Sequence, residues 1–257
     1  MAECHGSSTP CINALKRWAD RGLSARLIML RIGLAMLQGA RHEHAEALKH
    51  AAEEMNLEIQ IVELRKKQHL DSSLAALVLP GGESTSMRKA SQSESLLNGI
   101  FQWIKANPQR PVLGTCAGAI LLAQPSAEQK PFIDAEISRN AWGRQRESFE
   151  APIDVILETP SKNKAAHYEH RRDKFNHKPL VISHEAAFSD DESFPGVFIR
   201  APRFDTESIS CSVIATMGKE VVGVKKDSIV ALTFHPELTL DRRFHRWLID
   251  TANNNFA

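Results

Sequence analysis

Short apolar segments alternate with segments of helical periodicity through the first half of the chain. The apolar segments have the character of buried strands, and they lie at 26–37, 57–64, 74–80 and 111–116. Apolar residues at helical spacing lie between them, at Leu48, Ala51, Ala52 and Met55 and again at Leu97, Ile100, Phe101 and Ile104. Strands separated by helices pair in parallel with right-handed crossovers, and helices cover both faces of the sheet. The pattern therefore predicts a three-layer α/β fold on a mostly parallel central sheet.

The second half of the chain has strand-like segments with less helix between them. These segments lie at 197–201, 212–217, 220–226 and 228–234. We therefore expect antiparallel pairs to join the same sheet. Phe244, Trp247, Leu248 and Thr251 occupy one face of a terminal helix.

Composition gives no positive indication of a nucleic-acid or membrane partner. A chain of 257 residues with a net charge of +1 gives no electrostatic case for binding nucleic acid or a membrane surface. The four cysteines show no metal-type spacing, and neither a secretory signal nor a membrane-spanning run is apparent. We interpret the chain as a reduced, cytoplasmic protein.

Two stretches fit the alternating pattern poorly. Residues 1–28 are interpreted as a peripheral extension, so that a single domain occupies 29–257. The charged stretch 160–195 is interpreted as a surface insertion. Its His167, His170 and His177 suggest a metal, but no Cys or carboxylate at a known ligand spacing accompanies them, so a solvated loop without metal is favoured.

Cys116 lies in a Gly-x-Cys-x-Gly sequence between a predicted strand and a predicted helix. This arrangement is typical of a nucleophile elbow, in which glycines permit a sharp turn that raises the side chain above the sheet edge. The N-terminal end of the following helix favours a thiolate. A buried structural cysteine is the alternative interpretation, and the pentapeptide alone does not decide between them.

A nucleophilic cysteine needs a base and a residue that orients the base. His235 ends an apolar strand and Glu237 follows it, with Pro236 restricting the backbone between them. An isolated His-x-Glu is more often a strand end with a solvated glutamate. Here, however, Cys116 also lies at the carboxyl end of a predicted strand, where open α/β sheets build their sites.

The paired glycines of "LPGGES" (79–84) follow a third strand. Backbone amides in such a loop can face a developing oxyanion without side-chain obstruction. Taken alone, the pair indicates an ordinary turn.

Together these stretches resemble the class I, triad-type glutamine amidotransferases, and in particular the glutaminase subunits of pyridoxal 5'-phosphate synthase. The blocks that carry the resemblance occur in the family's order: "LQGARHEH" (37–44), "LPGGESTSMRK" (79–89), "GTCAGAILLA" (114–123), "RNAWGRQRESFEA" (139–151), "GVFIRAP" (196–202) and "FHPELT" (234–239). The resemblance implies a flavodoxin-like fold without a cofactor.

The resemblance also assigns residues to roles. It implies Cys116 as nucleophile, His235 as general base and acid, and Glu237 as the residue that orients His235. The amides of Gly82 and Ala117 would form the oxyanion hole. The remaining glutamine contacts would come from Gly82, Glu83, Ser84, Arg139, Ile199 and Arg200.

The family hydrolyses L-glutamine through a glutamyl thioester and passes ammonia to a barrel-shaped synthase subunit, on which it depends for activity. Glu43 and His44 are interpreted as partner surface, with helix capping or another surface role as equal alternatives. Two other functions stay open from the residues: a non-catalytic regulatory subunit of the same fold, and a cysteine hydrolase or chaperone-like protein of the wider superfamily.

Overall fold

The computed structural model describes residues 29–126, 129–139, 141–142, 148–161 and 193–256. The predicted extension at 1–28 lies outside these residues, as do most of the predicted insertion at 160–195 and its three histidines. No helix within the described ranges combines the length and the apolar character needed to cross a bilayer.

Eleven strands and five α-helices make up the described part of the chain. The strands are β1 (Leu30–Ala35), β2 (Ile59–Leu64), β3 (Leu74–Leu79), β4 (Val112–Thr115), β5 (Ile137–Ser138), β6 (Ser148–Val155), β7 (Ser193–Ile199), β8 (Arg203–Phe204), β9 (Ser212–Met217), β10 (Glu220–Lys226) and β11 (Ile229–Leu232). The helices are α1 (Arg41–Glu54), α2 (Ser84–Ser91), α3 (Leu96–Ala106), α4 (Ala117–Ala123) and α5 (Arg243–Phe256). Short 3-10 turns lie at Lys67–His69, Thr206–Ser208 and Pro236–Leu238.

Nine strands form one mixed sheet in the order β2-β1-β3-β4-β11-β10-β9-β6-β7, and β5 pairs with β8 separately. The pairs from β2 through β11 are parallel, and those from β11 through β7 are antiparallel. The antiparallel half arises because β9, β10 and β11 follow one another through short turns, whereas α-helical crossovers separate β3, β4 and their neighbours. The carboxyl ends of β3, β4 and β11 consequently meet at one edge.

Helices cover the parallel half of the sheet on both faces. On one face, buried residues such as Leu48 of α1 and Trp247 of α5 belong to a core that also includes the aromatic side chains Phe194, Phe234 and Phe244. On the other face, the apolar sides of α2, α3 and α4 pack against a second core. Both cores exclude water from the sheet, as a parallel sheet requires.

The predicted strands agree with the structure most closely at β9 and β10, whose bounds coincide with the predicted segments. The strand predicted at 197–201 is displaced: β7 begins at Ser193 and ends at Ile199. It ends there because Arg200 adopts a φ of 43°, which breaks the extended backbone. The sequence pattern does not predict β6, which pairs with β7 from Ser148↔Ile199 to Asp154↔Ser193.

Candidate active site

Cys116 lies at the turn between β4 and α4, in a conformation that few residues adopt. Its φ is 48° and its ψ is −105°, and its amide donates a 2.8 Å hydrogen bond to the Leu232 carbonyl at the end of β11. Gly118 permits the turn because a Cβ there would lie 2.0 Å from the Leu79 carbonyl oxygen of β3. A strained, over-determined backbone of this kind is typical of functional sites.

His235 follows β11, the strand adjacent to β4, so the sheet brings it next to Cys116. Its Nδ1 donates a 2.7 Å hydrogen bond to Glu237 Oε1. Pro236 begins a 3-10 turn between the two residues, which holds both side chains on one short segment. The Glu237 side chain is completely buried, and that of His235 is 8% exposed.

The surroundings of His235 favour its protonated form. Burial alone would lower the pKa of His235. The charge of Glu237 and the hydrogen bonds to Cys116 and Glu237 outweigh burial and raise the pKa to about 10. Because Nδ1 is engaged with Glu237, the opposite side of the ring is left for Cys116. The arrangement stabilises an imidazolium beside the Cys116 thiol.

The loop after β3 packs directly against this pair. A Cβ on Gly81 would lie 2.4 Å from His235 Cε1 and 3.4 Å from Cys116 Cβ, so only glycine fits there without displacing the ring. Gly82 follows, and the amide of Glu83 donates a 3.2 Å hydrogen bond to Gln38 Oε1. The backbone of the loop thus lies close to the Cys116 side chain and the His235 ring.

Glu83 caps the N-terminus of α2 while its side chain stays exposed. Its carboxylate accepts from the amides of Thr85 and Ser86. The Ser86 hydroxyl, together with these amides, lowers the pKa of Glu83 to about 2. Glu83 therefore remains ionised and can face a cation without leaving its capping position.

A cavity of about 370 Å³ opens above Cys116, within the range of small-molecule sites. Most of the predicted site residues line it: Gly82, Glu83, Ser84, Cys116, Arg139, Ile199, Arg200 and His235. Glu237 lies behind His235 and does not reach the cavity. Ala117 is the first residue of α4, so its amide has no partner within the helix.

Two predicted arginines contribute to the rim of the cavity. Arg139 is exposed, and its Nη1 donates a 2.9 Å hydrogen bond to Thr85 Oγ1. Arg200 is exposed as well, and its positive φ turns the chain at the end of β7. A guanidinium group at such a rim is suited to a carboxylate ligand.

Within the described ranges, no group of three or more His, Cys, Asp or Glu side chains could hold a metal ion. A second depression, of about 510 Å³, lies near Pro108, Ser228 and Trp247. Because Pro108 and Ser228 precede β4 and β11, it lies at the amino edge of these strands. It contains no cysteine or histidine, and it lies at the opposite end of these strands from Cys116.

The expectation for His44 is wrong. Rather than lying on the surface, it is 0% exposed, and the helix cap is Ala40. His44 Nε2 lies 3.2 Å from Glu237 Oε2 and 3.0 Å from Thr115 Oγ1. Glu43, its neighbour, lines the cavity. His44 is buried because α1, which follows β1 in the chain, packs against α5. No local pattern in the sequence indicates the contact of His44 with Glu237 and Thr115.

Comparison with known proteins relates the whole arrangement to amidotransferases. The model of the SNO glutamine amidotransferase family matches residues 34–157 and 168–254. The chain is 38% identical over 234 residues to the pyridoxal 5'-phosphate synthase subunit PdxT of Thermococcus onnurineus, covering 87% of this chain and all of that protein. It is 36% identical over 228 residues to the PdxT of Pyrococcus horikoshii, covering 86% and 98%.

A solved structure agrees with these relatives. A crystal structure described as a glutamine amidotransferase superposes with a TM-score of 0.62 at 34% sequence identity, covering 86% of this chain and 98% of that one.

Proposed function

The chain belongs to the SNO glutamine amidotransferase family, and we propose that it is the glutaminase subunit of a pyridoxal 5'-phosphate synthase. The single observation that carries the proposal is the convergence of Cys116, His235 and the Gly81–Gly82 loop at one cavity. Three chain segments that are distant in sequence supply a nucleophile, a base and amide donors at the carboxyl edge of adjacent strands. A non-catalytic subunit would have no reason to retain that convergence.

The reaction begins with the Cys116 thiolate, which attacks the side-chain amide carbon of L-glutamine. A C–S bond forms, and the carbonyl oxygen becomes an oxyanion. The amides of Gly82 and Ala117 are the proposed donors to this oxygen. Each such donor typically contributes about 10²–10³ in rate.

His235 then acts as general acid. It transfers a proton to the departing nitrogen, so the C–N bond breaks and ammonia leaves behind a glutamyl thioester. The deprotonated ring next takes a proton from water, and the resulting nucleophile attacks the thioester carbon. Glutamate leaves as the C–S bond breaks, and Cys116 returns to its starting state. Glu237 stays ionised throughout and holds Nδ1 of His235.

Charge at the rim suits the free amino acid. Arg139 and Arg200 can bind the α-carboxylate, and the ionised Glu83 can face the α-ammonium group. Ser84 and Ile199 line the remaining wall. This arrangement selects a zwitterion whose side-chain amide reaches Cys116.

The ammonia is proposed to pass to a separate synthase subunit, since the PdxT relatives are named as subunits of pyridoxal 5'-phosphate synthase. In this proposal glutamine is the substrate, as the family's description indicates, and the synthase subunit is the protein partner.

Glutamate release from glutamine tests the proposal, measured with the purified chain alone and with the cognate synthase subunit. We expect release that increases with the partner and disappears in Cys116→Ala. If a demonstrated complex releases no glutamate, the glutaminase assignment is wrong, and a regulatory subunit becomes the better interpretation. Release that persists in Cys116→Ala would instead reject Cys116 as nucleophile.

A further inference from the structure

Behind the Glu237 carboxylate lies a series of buried polar side chains that the reaction above does not use. His44, Thr115 and His245 are each 0% exposed. His44 Nε2 lies 3.2 Å from Glu237 Oε2 and 3.0 Å from Thr115 Oγ1. On the other side of the same ring, His44 Nδ1 lies 3.0 Å from His245 Nε2. Three buried polar groups at this spacing are costly to retain unless each is paired.

The charge of Glu237 determines which ring nitrogen of His44 carries the proton. Burial alone would raise the pKa of Glu237, but the neighbouring His44 and His235 rings lower it. The carboxylate is therefore ionised and can only accept hydrogen bonds. Oε1 accepts from His235, whereas Oε2 faces His44 Nε2. An unprotonated nitrogen 3.2 Å from that oxygen would repel it, so Nε2 carries the hydrogen.

The remaining protons follow from this assignment. His44 Nδ1 is then an acceptor, so His245 Nε2 must be the donor to it. Burial lowers the pKa of both His44 and His245, which keeps both rings neutral. His245 Nδ1 is then the unprotonated nitrogen of its ring, and it has no hydrogen-bond partner among the described residues.

The charged groups around the two histidines are consistent with neutral rings. Glu237, His235 and Glu43 act on His44. Arg242 and Arg246 act on His245 and oppose its protonation. Protonation of His245 would place a third positive charge beside these two arginines, with no carboxylate acting on His245 to compensate it.

We propose that His44 is a positioning residue, whose Nε2–H is shared between Thr115 Oγ1 and Glu237 Oε2 and so keeps Glu237 Oε1 on His235. In the structure Nε2 is hydrogen-bonded to Thr115 Oγ1, whereas Glu237 Oε2, 3.2 Å from the same nitrogen, has no hydrogen bond among the described residues. The His44 N–H is thus close enough to attract Oε2 and to oppose rotation of the carboxylate away from His235. His245 and Thr115 in turn hold the His44 ring. This inference rests on the proposed function.

Two polar variants separate positioning from packing. In His44→Gln the side-chain amide can place a donor near the former Nε2, facing Glu237. In His44→Asn the shorter side chain places it near the former Nδ1, facing His245. His44→Leu removes the polar groups at both the Nε2 and the Nδ1 positions. His42→Leu is the matched control, because His42 is exposed on the same helix.

The first measurement needs neither glutamine nor the synthase. The rate at which iodoacetamide alkylates Cys116 is followed against pH, with the Cys116 peptide quantified by mass spectrometry. We expect the midpoint of the alkylation profile to rise by about one pH unit in His44→Leu and His44→Asn, because Glu237 supports the imidazolium less well. The midpoint should stay near the wild-type value in His44→Gln and His42→Leu.

The second measurement is glutaminase kinetics in the complex. We expect kcat to fall about tenfold in His44→Asn with KM within about twofold, since an orienting group acts on the chemical step rather than on binding. His44→Gln should recover most of kcat. If Leu does not fold, the Asn and Gln pair still decides the question.

The outcomes are distinct. Equal effects of Asn and Gln, or an unchanged alkylation midpoint in a folded His44→Asn protein, would overturn the positioning role. A shifted midpoint in a chain whose wild-type complex releases no glutamate would support the role of His44 toward Cys116 while rejecting the glutaminase assignment.

Discussion

Glu237 Oε1 accepts a 2.7 Å hydrogen bond from His235 Nδ1, although only Pro236 separates the two residues in the chain. The two residues that we propose as base and orienting group therefore come from one restricted turn rather than from two independent loops. Their relative position depends little on the remainder of the molecule, whereas their position relative to Cys116 depends on the pairing of β11 with β4.

Replacing Glu237 with Gln removes the charge that stabilises the His235 imidazolium while leaving the shape almost unchanged. We expect kcat for glutamine hydrolysis to fall at least about 100-fold with little change in KM. Steady-state kinetics of the complex measure this, with the exposed Glu58→Gln as control. A Glu237→Gln variant that keeps a large share of wild-type kcat would contradict the orienting role.

The raised pKa of His235 predicts a pH-dependent contribution to stability. A group whose pKa is higher in the folded state stabilises fully below its unfolded value and loses that contribution as pH rises through the folded value. The pKa of His235 is 6.5 in the unfolded chain and about 10 in the folded protein, so the contribution is lost between pH 6.5 and about pH 10. In urea titrations, the amount by which the unfolding free energy of wild type exceeds that of His235→Asn should decrease as the pH rises from 6.5 to about 10. A difference that widens between these pH values would refute the expectation.

Gly81→Ala tests how closely the loop packs against His235 and Cys116. The added Cβ would lie 2.4 Å from His235 Cε1, so the ring must move away from Cys116. A displacement of about 1 Å costs about 100-fold in rate, which we expect in kcat. Gly218→Ala is the contrast: a Cβ there meets nothing, so its positive φ of 59° should cost stability but leave kcat unchanged. Normal kcat in Gly81→Ala would mean that the loop moves instead.

Arg139 is expected to act on substrate binding rather than on the chemical step. Arg139→Ala should raise KM for glutamine about tenfold, the usual cost of one charged hydrogen bond, and change kcat less. Thr85→Val removes the hydroxyl that receives Arg139 Nη1 and should raise KM only about threefold. A loss confined to kcat would show that Arg139 acts on the reacting atoms.

Glu54 provides a stability test remote from the cavity. Its carboxylate, 0% exposed, contacts Arg246 Nη1 at 2.5 Å and Arg242 Nη1 at 3.5 Å, joining α1 to α5. Removing one member of a buried ion pair leaves the other uncompensated, so Glu54→Ala should lower the unfolding free energy by about 3–5 kcal/mol. Urea denaturation measures this. The kcat of the folded variant should be close to that of wild type, and an unchanged denaturation midpoint would refute the prediction.

Much of the sheet can be predicted because its strands carry local signals. β9 and β10 are short segments rich in apolar and β-branched residues, and the run that forms β3 is apolar throughout. β6 escapes prediction because Pro152 interrupts its alternating polar and apolar pattern and argues against a paired strand. Its partner β7 is also separated from it by a long stretch of sequence, and such pairing leaves no local trace.

The same distinction applies at the site. Cys116, His235 and the glycine loop all follow strands, so the rule that open α/β sheets build their sites at strand ends is enough to group them. His44 cannot be found in this way, because its role depends on α5 and on the turn after β11 meeting α1 in space. A histidine in the first turn of a charged helix has the sequence appearance of a surface residue.

The residue-by-residue pairing of β6 with β7 also has a consequence for how the chain can change in length. The hairpin fixes both ends of the segment 156–192, whatever number of residues it contains. Closing a loop becomes costlier only slowly, by about 0.6 kcal/mol for each doubling of its length. Insertions and deletions in this segment therefore carry a small entropic penalty. The segment is attached to β6 and β7, at the opposite edge of the sheet from β1 and β2, and β9 and β10 separate this pair from β11 and β4 in the strand order. The chain can therefore be lengthened or shortened here without altering the position of the Cys116 thiol.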